Sequence, residues 1–389
     1  MSLIHPPRLL RPTWLEIDLG AVAENLRTVR RLVGPARKIF AVVKADGYGF
    51  GTVEMAEAFA EHGADAIAVA DTAEGARLKK RGLGLPILVY PSFLPEVAAE
   101  LIELGLIPTL VDLESARAFS AAAAAPVPVF VKVDVGLERL GVAPEEAVAF
   151  VRAIRSLPHL RLEGLCTHLH TPAGADPAYI GWQFSRFTAV IDALAAEGIE
   201  VPIRLAASSP LVLRHPETYL NAVDPGRILY GLPAAPGPGA VVHLPIPLAP
   251  AFRALRTRLI AVKPLAPRDR FTAEAPFPVT APMRLGIVPA GAADGLATLH
   301  AGRVLVRGRS APILGAPSLE HTRIDLTALP EATVGYEVTL IGCQGDAEIS
   351  LLEVASRHGR PANQLAPTVG PRVARVYVSR GAIVRVRTE

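Results

Sequence analysis

A chain of 389 residues, half of them hydrophobic and 20% charged, has the makeup of an ordinary soluble globular protein with room for two full cores. Its net charge of +3 comes from interspersed charges of both signs, which argues against nucleic acid or a membrane surface as a partner. Cys166 and Cys343 are too isolated for a disulfide framework or a zinc site, the opening MSLIHPPRLLRPTW has no apolar signal-peptide core, and no run reaches membrane-span length, so a cytoplasmic enzyme is expected.

In chain order, Asp18 is a fitting N-cap for a helix over Gly20–Leu32. Next comes KIFAVVKADGYGFG, residues 38–51, which reads as an apolar strand, Ile39–Val43, closing on Lys44 and running into a glycine-rich turn. Most lysines are solvated surface charges. Lys44 instead ends a buried strand, so its amine emerges at the carboxyl end, where α/β proteins place their chemistry. Burial lowers an ammonium pKa, and a neutral amine is what a Schiff base with a carbonyl cofactor requires. Gly47, Gly49 and Gly51 allow a sharp turn past a ligand, and Tyr48 puts a hydroxyl there.

Further strands are predicted at Ala66–Ala70, Ile87–Tyr90, Pro108–Val111, Val129–Asp134, Leu162–His168, Ile203–Ala206 and Leu220–Val223, with helical patterns between most of them. Eight strands with intervening helices predict an N-terminal (β/α)8 TIM-type barrel over residues 1–235. A proline-rich, uncharged stretch over 236–250 reads as a linker. Residues 251–389 then carry short β-rich runs, among them Arg256–Lys263, Arg284–Val288, Arg303–Val306, Glu337–Ile341 and Val373–Val378, which predict an all-β domain.

VVKADGYGFG resembles the pyridoxal 5'-phosphate (PLP) lysine motif of alanine racemases, and WLEIDLGAVAEN, residues 14–25, is similar to that family's opening segment. Barrel plus β-domain is also the family's layout. The resemblance implies that Lys44 carries PLP and that Tyr48 contacts its phosphate. Within KVDVGLERLG it puts Arg139 at the arginine that braces the cofactor's phenolate and the substrate carboxylate, a task suited to a planar, permanently charged fork. Lys132 there matches a lysine that is carbamylated in some members. In GLCTH, His168 matches a histidine packed beside the pyridine ring, with His170 two residues on. Barrel phosphate sites form from the loops after the seventh and eighth strands, and the family contacts phosphate at positions matching Ser209 and Gly226. In this family the β-domain of one subunit completes the partner's site, so a homodimer is implied.

Several matched positions depart from the family. Its RPG is here Asp224-Pro225-Gly226, so a carboxylate replaces the arginine that faces the pyridine nitrogen. A carboxylate there stabilises a pyridinium and strengthens the electron sink. With Arg227, this segment is closer to the EPGR of PLP-dependent ornithine and diaminopimelate decarboxylases, which makes Asp224 and Arg227 expected cofactor contacts. In GAADG, Ala292 stands where the family has its catalytic tyrosine; Ser318-Leu319-Glu320 replaces CMD, and PANQL, with Gln364, has no tyrosine for the phosphate. Racemisation needs a base on each face of Cα, or one mobile base that reaches both. The expectation is therefore a PLP enzyme acting at Cα of a small amino acid or amine by one-base chemistry: decarboxylation, stereospecific exchange, retro-aldol cleavage or repurposed racemisation. A racemase whose second base has moved, to Glu320 or His321, is the alternative. A non-catalytic PLP carrier is a third reading, against which Lys44, Arg139 and His168 stand together.

Overall fold

The computed structural model describes residues 8–172, 174–232, 246–268 and 274–388. The chain divides into two compact units, one built on Val22–Leu229 and the other combining the start of the chain with the segment from Ala249 onward. The first strand, β1 (Thr13–Asp18), belongs to the second of these.

The first unit is a closed barrel of eight parallel strands with helices between them. Its strands are β2 (Lys38–Val42), β3 (Ala66–Val69), β4 (Ile87–Val89) and β5 (Ile107–Leu110). They continue through β6 (Val127–Lys132), β7 (Leu160–Cys166), β8 (Ile203–Ser208) and β9 (Ala222–Asp224). All eight strands read from the sequence are present, with shifted ends. The eighth starts at Ala222 rather than Leu220, because Leu220 has φ of 49° and cannot extend the strand. Helices start where aspartates cap them: Asp71 accepts from Ala73 N (2.7 Å) and Asp112 from Ser115 N (2.6 Å).

Alternate strand residues fill the barrel: Phe40 and Val42, Ala66 and Ala68, Leu88, Phe130, Cys166, Ile203 and Leu205, and Ala222. Phe40 and Phe130 meet edge to face, centroids 5.9 Å apart. Closure pairs β2 with β9, Lys38 opposite Ala222 and Ile39 opposite Val223. That seam brings the segment after residue 42 beside residues 224–226: Val42 N donates to Pro225 O at 3.1 Å.

The second unit is β-rich. Its strands are β10 (Phe252–Arg258), β11 (Ala261–Leu265), β12 (Met283–Val288), β13 (Arg303–Val306) and β14 (Arg309–Pro312). They are followed by β15 (Thr322–Asp325), β16 (Glu337–Gln344), β17 (Ala347–Ile349), β18 (Ala374–Ser379) and β19 (Ala382–Arg387). The larger sheet has the order β14-β13-β16-β10-β1-β18-β19, with β17 on β16; the smaller is β11-β12-β15. β1, which lies within the stretch the sequence assigned to the barrel, runs antiparallel to β10 and parallel to β18, with Trp14 fully buried. The run predicted as one strand over Arg256–Lys263 is two. Leu259 N bonds Tyr336 O and Ile260 N bonds Ile287 O, both at 2.9 Å, as the chain passes from one sheet to the other. One helix of this unit spans Leu351–His358, capped by Ser350 Oγ, which accepts from Glu353 N at 3.0 Å. The linker expected at 236–250 lies, as far as residue 245, outside the described residues. Among the described residues no helix is long and apolar enough to cross a membrane.

Candidate active site

The alternation that fills the barrel also builds the site. Two residues beyond the core positions Val42, Leu88, Phe130, Cys166 and Ala222 stand Lys44, Tyr90, Lys132, His168 and Asp224. They form a polar layer at the carboxyl ends of the strands, directly above the apolar interior. Their mutual electrostatic influence shows how closely they gather: Lys44 feels Asp224, Arg139, Lys132 and Glu74, and His168 feels Lys132, Lys44, Arg139 and Arg227.

Burial lowers the Lys44 ammonium from its ordinary 10.5, Asp224 opposes that shift, and Arg139 and Lys132 add to it. The turn after Lys44 is left-handed through four residues, with φ of 57° at Ala45, 51° at Asp46, 59° at Gly47 and 57° at Tyr48. Only one of the four is glycine, and each of the others costs about 1–2 kcal/mol in this conformation. Local bonds hold it. Glu74 Oε1 accepts from Asp46 N (2.7 Å), Gly51 N donates to Asp46 O (2.7 Å), and Thr52 N donates to Asp46 Oδ1 (3.2 Å). Lys44 and Tyr48 are thereby fixed relative to each other.

Asp224 is 6% exposed and accepts from the Tyr90 hydroxyl at 2.7 Å through Oδ2, while its Oδ1 is buried with no partner. Burial raises its carboxyl from 3.8 to about 6, against the Tyr90 hydrogen bond and the charges of Lys132 and Lys44. Lys132, 7% exposed, has its Nζ 5.9 Å from the Tyr90 ring centroid. Burial, then the neighbouring cations, push the His168 imidazolium down to about 3, so the ring is neutral. His170 stands apart from this layer: it is exposed, its backbone is clasped by Gln183, and its ring meets Tyr179 edge-on.

Next to the layer, Tyr48, Gly226 and Ser209 meet in a tight corner. A Cβ built on Gly226 would stand 2.3 Å from the Tyr48 hydroxyl oxygen, so only glycine leaves that hydroxyl room. Ser209 Oγ accepts from Gly226 N (3.0 Å) and Ile228 N (3.4 Å), which leaves only its proton to offer a ligand. Ser208, not singled out in the sequence, has a buried Oγ with no partner. Arg227 is half-buried, and burial lowers its guanidinium. Arg139 projects from an exposed loop that Asp134 organises. The Asp134 carboxylate accepts from the backbone N of Gly136, Leu137, Glu138 and Arg139 at 2.7–3.2 Å. Partial burial works against the Asp134 carboxylate, but these amides hold it below its usual range.

In the β-rich unit the two departing segments are pinned together, Ala292 N to Ser318 O (2.7 Å) and Ala293 N to Leu319 O (3.1 Å). Ala292 opens a single helical turn over Ala292–Asp294, and Asp294 is paired with Arg11 (2.7 Å) and Arg372 (2.9 Å). Glu320 is clasped by both terminal nitrogens of Arg372, at 2.9 and 2.6 Å, and that pairing lowers its carboxyl pKa. A carboxylate so held is a poor proton acceptor.

Lys44, Lys132, Arg139 and Arg227 outnumber Asp224 and Glu74, so basic side chains predominate at this barrel mouth. A lysine with a lowered pKa, a glycine corner and a buried carboxylate with one unpartnered oxygen gather at the carboxyl ends of the barrel strands, where barrel enzymes carry their chemistry. The chain belongs to the alanine racemase family. Residues 17–234 match the model of the alanine racemase N-terminal domain, and residues 253–377 that of the C-terminal domain. It is 38% identical over 373 residues to an alanine racemase of Desulfovibrio desulfuricans, covering 95% of this chain and 98% of that protein. To one of Geobacillus stearothermophilus it is 37% identical over 383 residues, covering 97% and 96%. The crystal structure of alanine racemase from Bacillus anthracis, solved with bound L-Ala-P, superposes with a TM-score of 0.89 at 29% identity, covering 98% of this chain and 99% of that one. These full-length likenesses support racemase activity; they lend none to decarboxylation or to a lyase reaction.

Proposed function

We propose that this chain is a PLP-dependent racemase of alanine or a similarly small amino acid, with Lys44 as the covalent anchor and as the base on one face of Cα. The observation that carries this is the inward layer Lys44–His168–Asp224 beside the Tyr48–Gly226 corner, in a chain whose relatives over nearly its whole length are alanine racemases. The residues fit PLP: because residue 226 lacks a side chain, the Tyr48 hydroxyl reaches its backbone beside Ser209 Oγ, and both hydroxyls are suited to a phosphate.

Tyr48, Ser208, Ser209 and Arg227 would hold the phosphate, His168 would support the ring as a neutral plane, and Asp224 Oδ1 would meet the ring nitrogen. Bound there, PLP supplies an electrophilic carbonyl and an electron sink for charge developing at Cα. Lys44, whose ammonium burial disfavours, is suited to nucleophilic attachment and then to taking or returning the α-proton. Arg139 would hold the substrate carboxylate. The protein would work in the cytoplasm, as a homodimer with shared sites.

One observation favours a second reading. Ala292 has a methyl group at the family's tyrosine position, and Glu320, its nearest replacement in sequence, is locked to Arg372. On this reading Lys44 works alone and exchanges or releases groups at Cα with one stereochemistry. Incubating the PLP-loaded protein with L-alanine in deuterated water separates the two. D-alanine appearing as fast as α-deuterium supports racemisation; deuterated L-alanine without inversion supports the second reading. If neither D-alanine nor α-deuterium appears with alanine or other small amino acids, both are overturned.

A further inference from the structure

Tyr90 has no assigned part in the chemistry above, yet it is the only residue with a direct hydrogen bond to the Asp224 side chain among the described residues. It stands two positions above the core residue Leu88, on the same inward face of the barrel as Asp224. We infer that Tyr90 is a positioning residue: its hydroxyl, donating to Asp224 Oδ2, aims the carboxylate so that Oδ1 is presented bare and ionised to the ring nitrogen of the cofactor. This rests on the reading of the barrel mouth as a PLP site.

The geometry supplies three reasons. A carboxylate turning about its Cβ–Cγ bond exchanges its two oxygens; a 2.7 Å hydrogen bond to one of them fixes the rotamer and with it the direction of the other. Oδ1 is buried and unpartnered, which is costly to leave so unless a ligand donor meets it. Third, the Asp224 carboxylate has strong competitors for its attention. Facing it are the cations Lys44 and Lys132 and the neutral Tyr90, Tyr48 and Cys166, the thiol being pushed up to about 12 by burial. Without a fixed donor on Oδ2, the carboxylate is free to turn toward either ammonium. Tyr90 is in turn held by Lys132, whose ammonium lies over its ring. The hydroxyl bond also favours the ionised carboxyl in a site where burial favours the neutral one, and only the ionised form stabilises a pyridinium.

The test compares PLP with its analogue carrying C–H in place of the ring nitrogen, each titrated into cofactor-free protein. A charge-assisted hydrogen bond to the nitrogen should make wild type prefer PLP by about tenfold or more. Asp224→Ala should abolish the preference. Tyr90→Phe, which removes one oxygen, should cut it at least fivefold while moving affinity for the analogue little, and should add nothing in the Asp224→Ala background. A merely structural Tyr90 would weaken both ligands alike. If wild type prefers PLP and Tyr90→Phe keeps the full preference, the inference is overturned while the site reading stands. If wild type binds both ligands equally, Asp224 does not face the nitrogen and the role of Tyr90 goes with it. If wild type binds neither, the site reading itself is wrong. Tyr90→Gln, which keeps a donor at a shorter reach, should retain part of the preference and guards against a folding defect in the phenylalanine variant.

Discussion

Gly226→Ala is the sharpest perturbation the structure offers. The new methyl would stand 2.3 Å from the Tyr48 hydroxyl oxygen and 3.1 Å from its Cζ, where ordinary contacts begin near 3.4 Å. The hydroxyl must retreat by about 1 Å, since the opposing atoms of residue 226 are backbone held through Gly226 N on Ser209 Oγ. A hydrogen bond to a charged group contributes about 1.5–3 kcal/mol, so losing the Tyr48 contact to phosphate should weaken PLP binding by roughly 10- to 150-fold. Equilibrium titration of cofactor-free protein, followed by absorbance, measures this. Tyr48→Phe should lose a similar factor, and the double variant little more than either, because both act through one hydroxyl. PLP affinity within twofold of wild type in Gly226→Ala, or fully additive losses, would refute the reasoning.

Because a neutral amine is the reactive form, PLP attachment to Lys44 should rise with pH to a midpoint below the ordinary 10.5, and Asp224→Asn, by removing the charge that holds the ammonium up, should move that midpoint lower still; stopped-flow capture at varied pH checks both, and a midpoint at or above 10.5 counts against a buried Lys44. The Asp224 carboxyl rises from 3.8 to about 6 on folding, so the folded state binds more protons between these values and stability falls as pH climbs through that window. Asp224→Asn should therefore stabilise the cofactor-free protein at pH 8, by up to about 3 kcal/mol, and not at pH 3; denaturant melts at both values show it, and equal effects at the two would contradict it. Ala292→Tyr restores an acid–base group at the family position and should raise alanine racemisation at least tenfold, since such groups contribute about 100- to 10,000-fold when well placed; an unchanged rate in a chiral alanine assay would mean another residue already fills that role.

Much of this site was legible from strand parity. Lys44 was found because a charged residue closing an apolar run is conspicuous, and the same two-residue step reaches Lys132, His168 and Asp224. It also reaches Tyr90, which in the sequence is simply the end of a strand. An aromatic there looks like core until a buried carboxylate, 134 positions away, is seen to accept its hydroxyl. That pairing depends on barrel closure, which no local pattern encodes. Ser208 is hidden in the sequence for a different reason: a register shift between Leu205 and Ala207 breaks the alternation on β8, so parity does not extend to it. The sequence points to glycines for the left-handed turn, but Ala45, Asp46 and Tyr48 share the conformation, held by Glu74 from the helix that follows β3. β1 was drawn into the barrel by sequence order alone, though its partners, β10 and β18, lie more than two hundred residues downstream.

Everything proposed for this protein depends on one covalent link, and reduction with borohydride reads it directly. Protein loaded with PLP, reduced, digested and mapped by mass spectrometry should carry a single pyridoxyl-phosphate label, on the peptide containing Lys44. The label should be absent from Lys44→Ala. A label on Lys132 or any other lysine, or none at all, would contradict the assignment of Lys44 as the anchor.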